Sequence, residues 1–346
     1  MLCDTLAGVH QRTNAALAVA LARQFLTTYA SHTAGFAGMD VGTTLGALAS
    51  VQWPGRAQLV RIAAADGHPR VTLALDGAHT VASVQCAAQW FSGVVAEARR
   101  ELQARAGAGA PRGRVRAMLL FNCGYEKRPE HLLYAIHRAA GGVTGTGADA
   151  DAGIQFERAV FAPFDFAKPS KAPPPTSEEL LARLRALQAS GETGDEGSAV
   201  AAADASAAGT GTASASTVKE PKAVRWLRSI RAVWQVLNSE GADSGVATDS
   251  TVVASSMRAA VELVAPQARR VTRARAQSWH SNVDEGSTPA TSGRGEGEGG
   301  TVDAGAIGTD DHVVVLGTGS LYLVGNVLEA LGWDADACRF HGEGVA

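Results

Sequence analysis

The sequence predicts an α/β protein: a doubly wound, mainly parallel sheet interrupted by disordered insertions. Three observations carry that prediction. Five short apolar runs, at 58–62, 71–75, 116–121, 158–161 and 311–316, alternate with stretches whose apolar residues recur at helical spacing. The run ending at Leu75 is apolar or β-branched throughout, as suits a strand covered on both faces. Polar or glycine-rich junctions, Asp76-Gly77-Ala78-His79 and Gly317-Thr318-Gly319-Ser320, follow two of the strands and lead into helices.

In chain order, residues 14–29 read as a helix, with Leu17, Leu21 and Phe25 four apart on one face. Trp53-Pro54-Gly55-Arg56 is a turn, and Gln58-Leu59-Val60-Arg61-Ile62 alternates as a first strand should. Ala64 to His68 forms a hairpin or loop before the strand that ends at Leu75. Thr80 is the expected N-cap of a long helix whose stripe runs through Val81, Val84, Ala88, Phe91, Val95, Ala98 and Leu102. Arg116–Phe121 is a strand ending at Asn122, and Pro129 suits the first position of a helix bearing Leu132, Leu133 and Ile136. Arg158–Phe161 is a fourth strand, and Pro173-Pro174-Pro175-Thr176-Ser177 leads a helix through about Leu187. Residues 190–218, made of Ala, Gly, Ser, Thr and a few acids, lack the apolar surface to offset ordering and are expected to be an unstructured insertion. Trp226, Ile230, Val233, Trp234 and Leu237 define a core-facing helix, and Thr251 to Val264 reads as another. A second biased segment, about 281–308, is expected to be a disordered loop. The strand 311–316, the glycine turn and a helix facing inward through Leu321, Val324, Leu328 and Leu331 complete the series.

A chain of 346 residues can hold two domains, and 46% hydrophobic content is ample for a core, although much of it is alanine. With 31 basic against 34 acidic residues the net charge is −3, so there is no electrostatic case for nucleic acid or for a polybasic membrane anchor. Cys3, Cys86, Cys123 and Cys338 are scattered without metal-ligand spacing, and Cys86 and Cys123 read as packing residues of a reducing compartment. No apolar run reaches membrane-spanning length and no secretory signal is recognisable, so a cytoplasmic protein without membrane partners is expected.

The polar residues at the strand ends admit two accounts each. Asp76 is a turn former or a ligand contact at the carboxyl edge of the sheet, and His79 beside it is unremarkable alone. Arg56 is a phosphate or ribose contact, or a surface arginine. Asn14 caps a helix or touches a nucleotide. The glycine turn before Ser320 offers backbone N–H groups to an anion, or only permits close strand–helix packing.

Taken together in order, Gly8-Val9-His10-Gln11-Arg12-Thr13-Asn14-Ala15-Ala16-Leu17, Trp53-Pro54-Gly55-Arg56, Asp76-Gly77-Ala78-His79, Phe121-Asn122-Cys123 and Gly317-Thr318-Gly319-Ser320-Leu321 closely resemble folylpolyglutamate synthase, an ATP-dependent amide ligase of the Mur type. The resemblance implies a sheet of the Mur ligase C-terminal, Rossmann-like kind over 49–346, preceded at 1–48 by the remnant of a central ATPase domain and its hinge. It implies that Arg56 and Asp76, with Asn14, contact ATP, that His79 and Ser320 place glutamate or the reacting groups, and that no metal ligand lies here. ATP and Mg2+ would be the cofactors, tetrahydrofolate and L-glutamate the substrates, and a missing ATPase domain the partner of a monomeric enzyme. That domain carries the P-loop and magnesium ligands in the group, and this chain contains no Gly-Lys pair at all. The chain alone is therefore expected to be inactive. The turn after Asn122 departs from the group: Gly124-Tyr125-Glu126-Lys127-Arg128-Pro129-Glu130 retains Arg-Pro but not the usual Gly-Asp-Arg-Asp-Pro acidic pattern. Mitochondrial copies occur in the group. Dihydrofolate synthase or another Mur-type ligase fragment, and a non-catalytic nucleotide-binding or interaction module, are the alternatives.

Overall fold

The computed structural model describes residues 9–29, 40–51, 53–65, 67–106, 113–141, 153–164, 173–191, 221–239, 250–268, 307–334 and 339–340. The two expected insertions, together with Cys3 and Cys338, lie outside the described residues apart from a few at the insertions' borders. The chain opens with helices α1 (Val9–Tyr29) and α2 (Val41–Ser50). Then follow β1 (Gln58–Ile62), β2 (Arg70–Leu75), α3 (Val81–Ala106), β3 (Val115–Phe121), α4 (Pro129–Ala140), β4 (Phe156–Phe161), α5 (Ser177–Ser190) and α6 (Lys222–Ser239). The last elements are β5 (Thr251–Val253), α7 (Met257–Val264), a turn of 3-10 helix at Pro266–Ala268, β6 (His312–Thr318), α8 (Leu321–Ala330) and a small ribbon of β7 (Trp333–Asp334) with β8 (Arg339–Phe340).

Six strands form one sheet in the order β1-β2-β6-β3-β4-β5, parallel throughout except for the β1–β2 hairpin. The doubly wound expectation holds because the strands bury both faces. Ala74, Leu119, Val314 and Leu316 point into a core shared with α3, α4 and α6, while Leu73, Leu75, Leu120, Val313 and Val315 point into a second core with α7 and α8. Chain order and space part company at β6, which inserts between β2 and β3. The helices after β2 and β3 lie on one face and the helix after β6 lies on the other. The carboxyl ends of β2, β6 and β3 therefore flank a topological switch point, where open α/β sheets form a crevice.

Several expectations need correcting. Thr251 does not begin a helix: the β-branched run Thr251-Val252-Val253 joins the sheet beside β4, and the helix starts at Met257, capped by the Ser256 hydroxyl. The first helix begins at Val9, so Asn14 is not a cap; it sits inside α1, exposed, its Nδ2 donating to Gln11 Oε1 at 3.1 Å. The apolar stripe of Leu17, Leu21 and Phe25 is not buried either, because α1 turns Gln11 and Ala15 inward instead. The tryptophans of α6 behave as expected: Trp226 and Trp234 are buried, and the Trp226 indole donates to Cys123 O at 3.0 Å.

At the amino-terminal end of the sheet two polar groups are held inside. Asp311 accepts from Arg116 Nε at 2.7 Å and from the Arg114 backbone N–H at 2.9 Å, binding β3 to the start of β6. His312 is buried with its Nε2 2.9 Å from the Thr72 hydroxyl. Burial, then the positive field of Arg70, Arg105 and Arg61, lowers the imidazole from 6.5 to about 4. The unfolded chain therefore binds the proton that the folded one refuses, and stability falls as pH drops from about 6.5 toward about 4. Chemical denaturation across that window should show the loss. His312→Gln, which keeps a hydrogen-bonding side chain without a titrating group, should flatten this component of the profile; an unchanged profile would contradict the assignment.

Candidate functional site

Three loops meet at the crevice, and backbone geometry explains why. The Trp53–Ala57 turn closes with Arg56 N–H donating to Trp53 O at 3.1 Å. Gly55 takes φ +75°, and Ala57 stands at φ 46° in the left-handed region that a residue with a Cβ enters only at a cost of order 1 kcal/mol. Asp76 holds Ala57 there: its Oδ2 accepts the Ala57 backbone N–H at 2.8 Å across nineteen residues of sequence. The next N–H, of Gly77, donates to Gly55 O at 2.8 Å. Asp76 N–H donates to Gly317 O at 3.0 Å, and Gly319 N–H to Ala78 O at 2.9 Å. Four backbone and side-chain bonds thus stitch the turn before β1, the end of β2 and the end of β6 into one body.

Two glycines let the loops close against α8. A Cβ on Gly77 would overlap the Leu321 side chain and stand 3.2 Å from its Cα, and one on Gly55 would lie 2.9 Å from Val324 Cγ1. These residues are packed against the first turn of the helix that Ser320 caps, its hydroxyl accepting from Tyr322 N–H at 3.1 Å. Of the two accounts of the glycine turn, close packing is the one visible in the contacts; the N–H groups of Gly319 and Tyr322 are engaged within the protein. The donors at the start of α3 are engaged as well. Ser83 Oγ accepts from the backbone N–H groups of His79 and Thr80 at 3.1 and 3.0 Å, while Thr80 Oγ1 caps Ser83 N–H at 3.3 Å.

The structure brings Arg56, Asp76, His79 and Ser320 to one edge of the sheet. Asp76 is 5% exposed, and burial pushes its carboxyl above the usual carboxylate range, opposed by the Ala57 N–H and by the positive fields of His10 and Arg56. Arg56 is half-buried and makes no side-chain hydrogen bond or ion pair among the described residues, so its guanidinium is available to an anion. His79 is half-buried, its Nδ1 2.9 Å from Gly77 O. A carbonyl oxygen can only accept, so Nδ1 carries the hydrogen and Nε2 of the neutral ring is left as the lone-pair nitrogen. Asn14 is exposed on α1, one helical turn after His10, with its side chain bonded to Gln11.

Sequence reasoning missed two contributors. His10 lies within electrostatic reach of Asp76, although only the motif around it drew attention. Ala57 carries the strained backbone that Asp76 stabilises, and nothing in an alanine signals that. Asn122, by contrast, is buried as a brace: Nδ2 donates to Ala162 O at 2.7 Å, and Oδ1 accepts from Cys123 N–H at 2.8 Å. Among the described residues no three His, Cys, Asp or Glu side chains converge as a metal site would require.

Over 146 residues the chain is 36% identical to human mitochondrial folylpolyglutamate synthase, a stretch covering 37% of this chain and 22% of that protein. The chain thus spans about a fifth of the curated relative it matches. Two solved structures of Mycobacterium tuberculosis folylpolyglutamate synthase, one complexed with ADP and AMPPCP and one with ADP, are 16% identical with TM-scores of 0.41 and 0.43, covering 95% of this chain and 41% of theirs. No family model matches.

The stitching makes a prediction about stability. Asp76→Ala leaves the buried Ala57 N–H without a partner and should cost about 1–3 kcal/mol, while Asp76→Asn, which keeps an acceptor oxygen, should cost less. Gly77→Ala should cost about 1–3 kcal/mol through overlap with Leu321. Urea unfolding monitored by tryptophan fluorescence measures all three, and a neutral Asp76→Ala would contradict the role given to this bond.

Proposed function

From its kinship with folylpolyglutamate synthase, a Mur-type ligase, we propose that this chain is the nucleotide-closing and glutamate-placing part of an ATP-dependent ligase that extends folates with glutamate. The single observation that carries the proposal is the convergence of Arg56, Asp76 and Ser320 on one crevice at the switch point of the sheet.

The reaction has two stages. ATP phosphorylates the terminal carboxylate of the folate, and the amine of the incoming glutamate then displaces phosphate to leave an amide. Arg56 would fork onto phosphate or ribose oxygens. Asp76 acts chiefly through the turn it fixes, because its Oδ2 is committed to Ala57 N–H; its carboxylate would also accept from a ribose hydroxyl or orient a neighbouring cation. Glutamate arrives as an ammonium and must lose a proton before it can attack. His79, with Nδ1 turned to Gly77 O, presents Nε2 as the acceptor for that proton. Ser320 caps α8 and, in this proposal, also helps seat the glutamate. Asn14 is assigned to the nucleotide. ATP is the nucleotide required, and its Mg2+ would be held by groups on an ATPase domain that also carries the P-loop, since no Gly-Lys pair occurs in this sequence. We place the enzyme in the cytoplasm, as a monomer, with tetrahydrofolate as its folate substrate. None of the described helices is long and apolar enough to cross a membrane.

The test is to incubate the chain with ATP, Mg2+, tetrahydrofolate and glutamate, alone and with a folylpolyglutamate synthase ATPase domain supplied separately. Product only in the second mixture is expected. Turnover by the chain alone would contradict the division of labour, and loss of no activity on Arg56→Ala in the reconstituted enzyme would remove Arg56 from the site. For His79→Ala the expectation is a drop in kcat of about a hundredfold or more that is smallest at high pH, where glutamate deprotonates itself; a fall in ATP affinity instead would assign His79 to the nucleotide.

A further inference from the structure

Trp53 is the residue at the crevice to which the proposed chemistry gives no task. Its side chain is 63% exposed, whereas tryptophan is highly buried on average. Outside α1, α2 and Val51 at the end of α2, the exposed large apolar side chains among the described residues are Trp53, Leu321 and Tyr322. All three border the carboxyl edge of the sheet, and a cluster of this kind marks a surface that meets a partner. Leu321 lies against Gly55 and Gly77, and Tyr322 is stacked on Phe164 with centroids 6.1 Å and planes 10° apart. The Trp53 indole has no such engagement: it makes no hydrogen bond or ring contact among the described residues.

The turn that carries the indole is braced. Arg56 N–H donates to Trp53 O at 3.1 Å, Pro54 takes the second position and Gly55 the third with φ +75°, the pattern of a type II turn. Gly55 N–H donates to Gln58 Oε1 at 2.9 Å, and Gly55 O accepts from Gly77 N–H at 2.8 Å. Such a turn keeps the Cα atoms of its first and fourth residues within about 7 Å, so the Trp53 indole and the Arg56 guanidinium rise from one anchored support. One offers a flat π face and the other a planar cation with no ion pair among the described residues. A ligand that satisfies both carries a flat ring and, close to it, an anion. An apolar protein surface would satisfy the indole alone.

Building on the ligase reading, we propose that Trp53 stacks on the nucleobase of the ATP whose phosphate or ribose oxygens Arg56 takes. Every base has a π face, so the stack supplies affinity and position rather than choice among bases.

Calorimetric titration of the full chain, mixed with a folylpolyglutamate synthase ATPase domain supplied separately, tests this with ATP and inorganic tripolyphosphate as probes. Trp53→Ala should weaken ATP about tenfold, and Trp53→Phe should recover most of that loss. Neither variant should alter the affinity for tripolyphosphate, which has no base, whereas Arg56→Ala should weaken both probes. An exposed indole contributes little to the core, so both Trp53 variants should melt with the parent. Two results would overturn the inference and leave the ligase reading standing: ATP affinity that falls on Arg56→Ala but not on Trp53→Ala, or equal losses of ATP and tripolyphosphate on Trp53→Ala. Either would assign the indole to contact with the ATPase domain. ATP affinity indifferent to both Arg56→Ala and Trp53→Ala would overturn the ligase reading and this inference with it.

Discussion

One hydrogen bond organises the functional edge of this molecule: the buried Asp76 carboxylate receiving the Ala57 N–H. It holds a left-handed alanine in place and, with the Arg56–Trp53 and Gly77–Gly55 backbone bonds, the turn that carries Arg56. Neighbouring bonds tie the turn before β1 to the ends of β2 and β6: Gly55 O accepts from Gly77 N–H, and Gly317 O accepts from the N–H of Asp76 itself. A carboxylate buried in this way pays a desolvation cost. The cost is only partly offset by the backbone donor and by the positive fields of His10 and Arg56, which leaves the carboxyl above its usual range.

The sheet around that edge explains why the residues arrive together. Both faces are covered, so the strands are apolar nearly throughout and their polar residues collect at the ends. Inserting β6 between β2 and β3 sends neighbouring helices to opposite faces and opens the crevice between them. Glycines at 55 and 77 then allow α8 to approach until its first turn touches both loops. At the other end of the sheet the opposite economy holds. There Asp311, Arg116 and the Thr72–His312 pair lie inside the protein, and the Arg116 guanidinium is held by Asp311 at 2.7 Å and by Glu157 at 3.3 Å.

Much of the architecture could be read from the sequence because periodicity survives where packing is two-sided. The runs at 71–75, 116–121 and 311–316 could hardly be anything but buried strands, and the stripe from Val81 through Ala98 is buried as its spacing requires. Failures fall where local pattern was ambiguous. Thr251-Val252-Val253 is too short to reveal a strand before a helix, and Leu17, Leu21 and Phe25 look like a core stripe yet remain exposed on α1. Arg56, Asp76, His79 and Ser320 were identifiable as strand-end polar residues in a known order, and they do share an edge. What no spacing could convey is that Asp76 works on a backbone nineteen residues away, that Ser320 is a cap, or that an alanine carries the strain.

The proposed function requires the three loops to behave as one nucleotide-receiving unit. Amide hydrogen exchange followed with and without ATP tests it most directly. Added protection should appear together at Gly55–Ala57, Asp76–His79 and Gly317–Ser320, and Asp76→Asn should diminish it at all three. Protection confined to one loop, or absent from all of them at saturating ATP, would contradict the account.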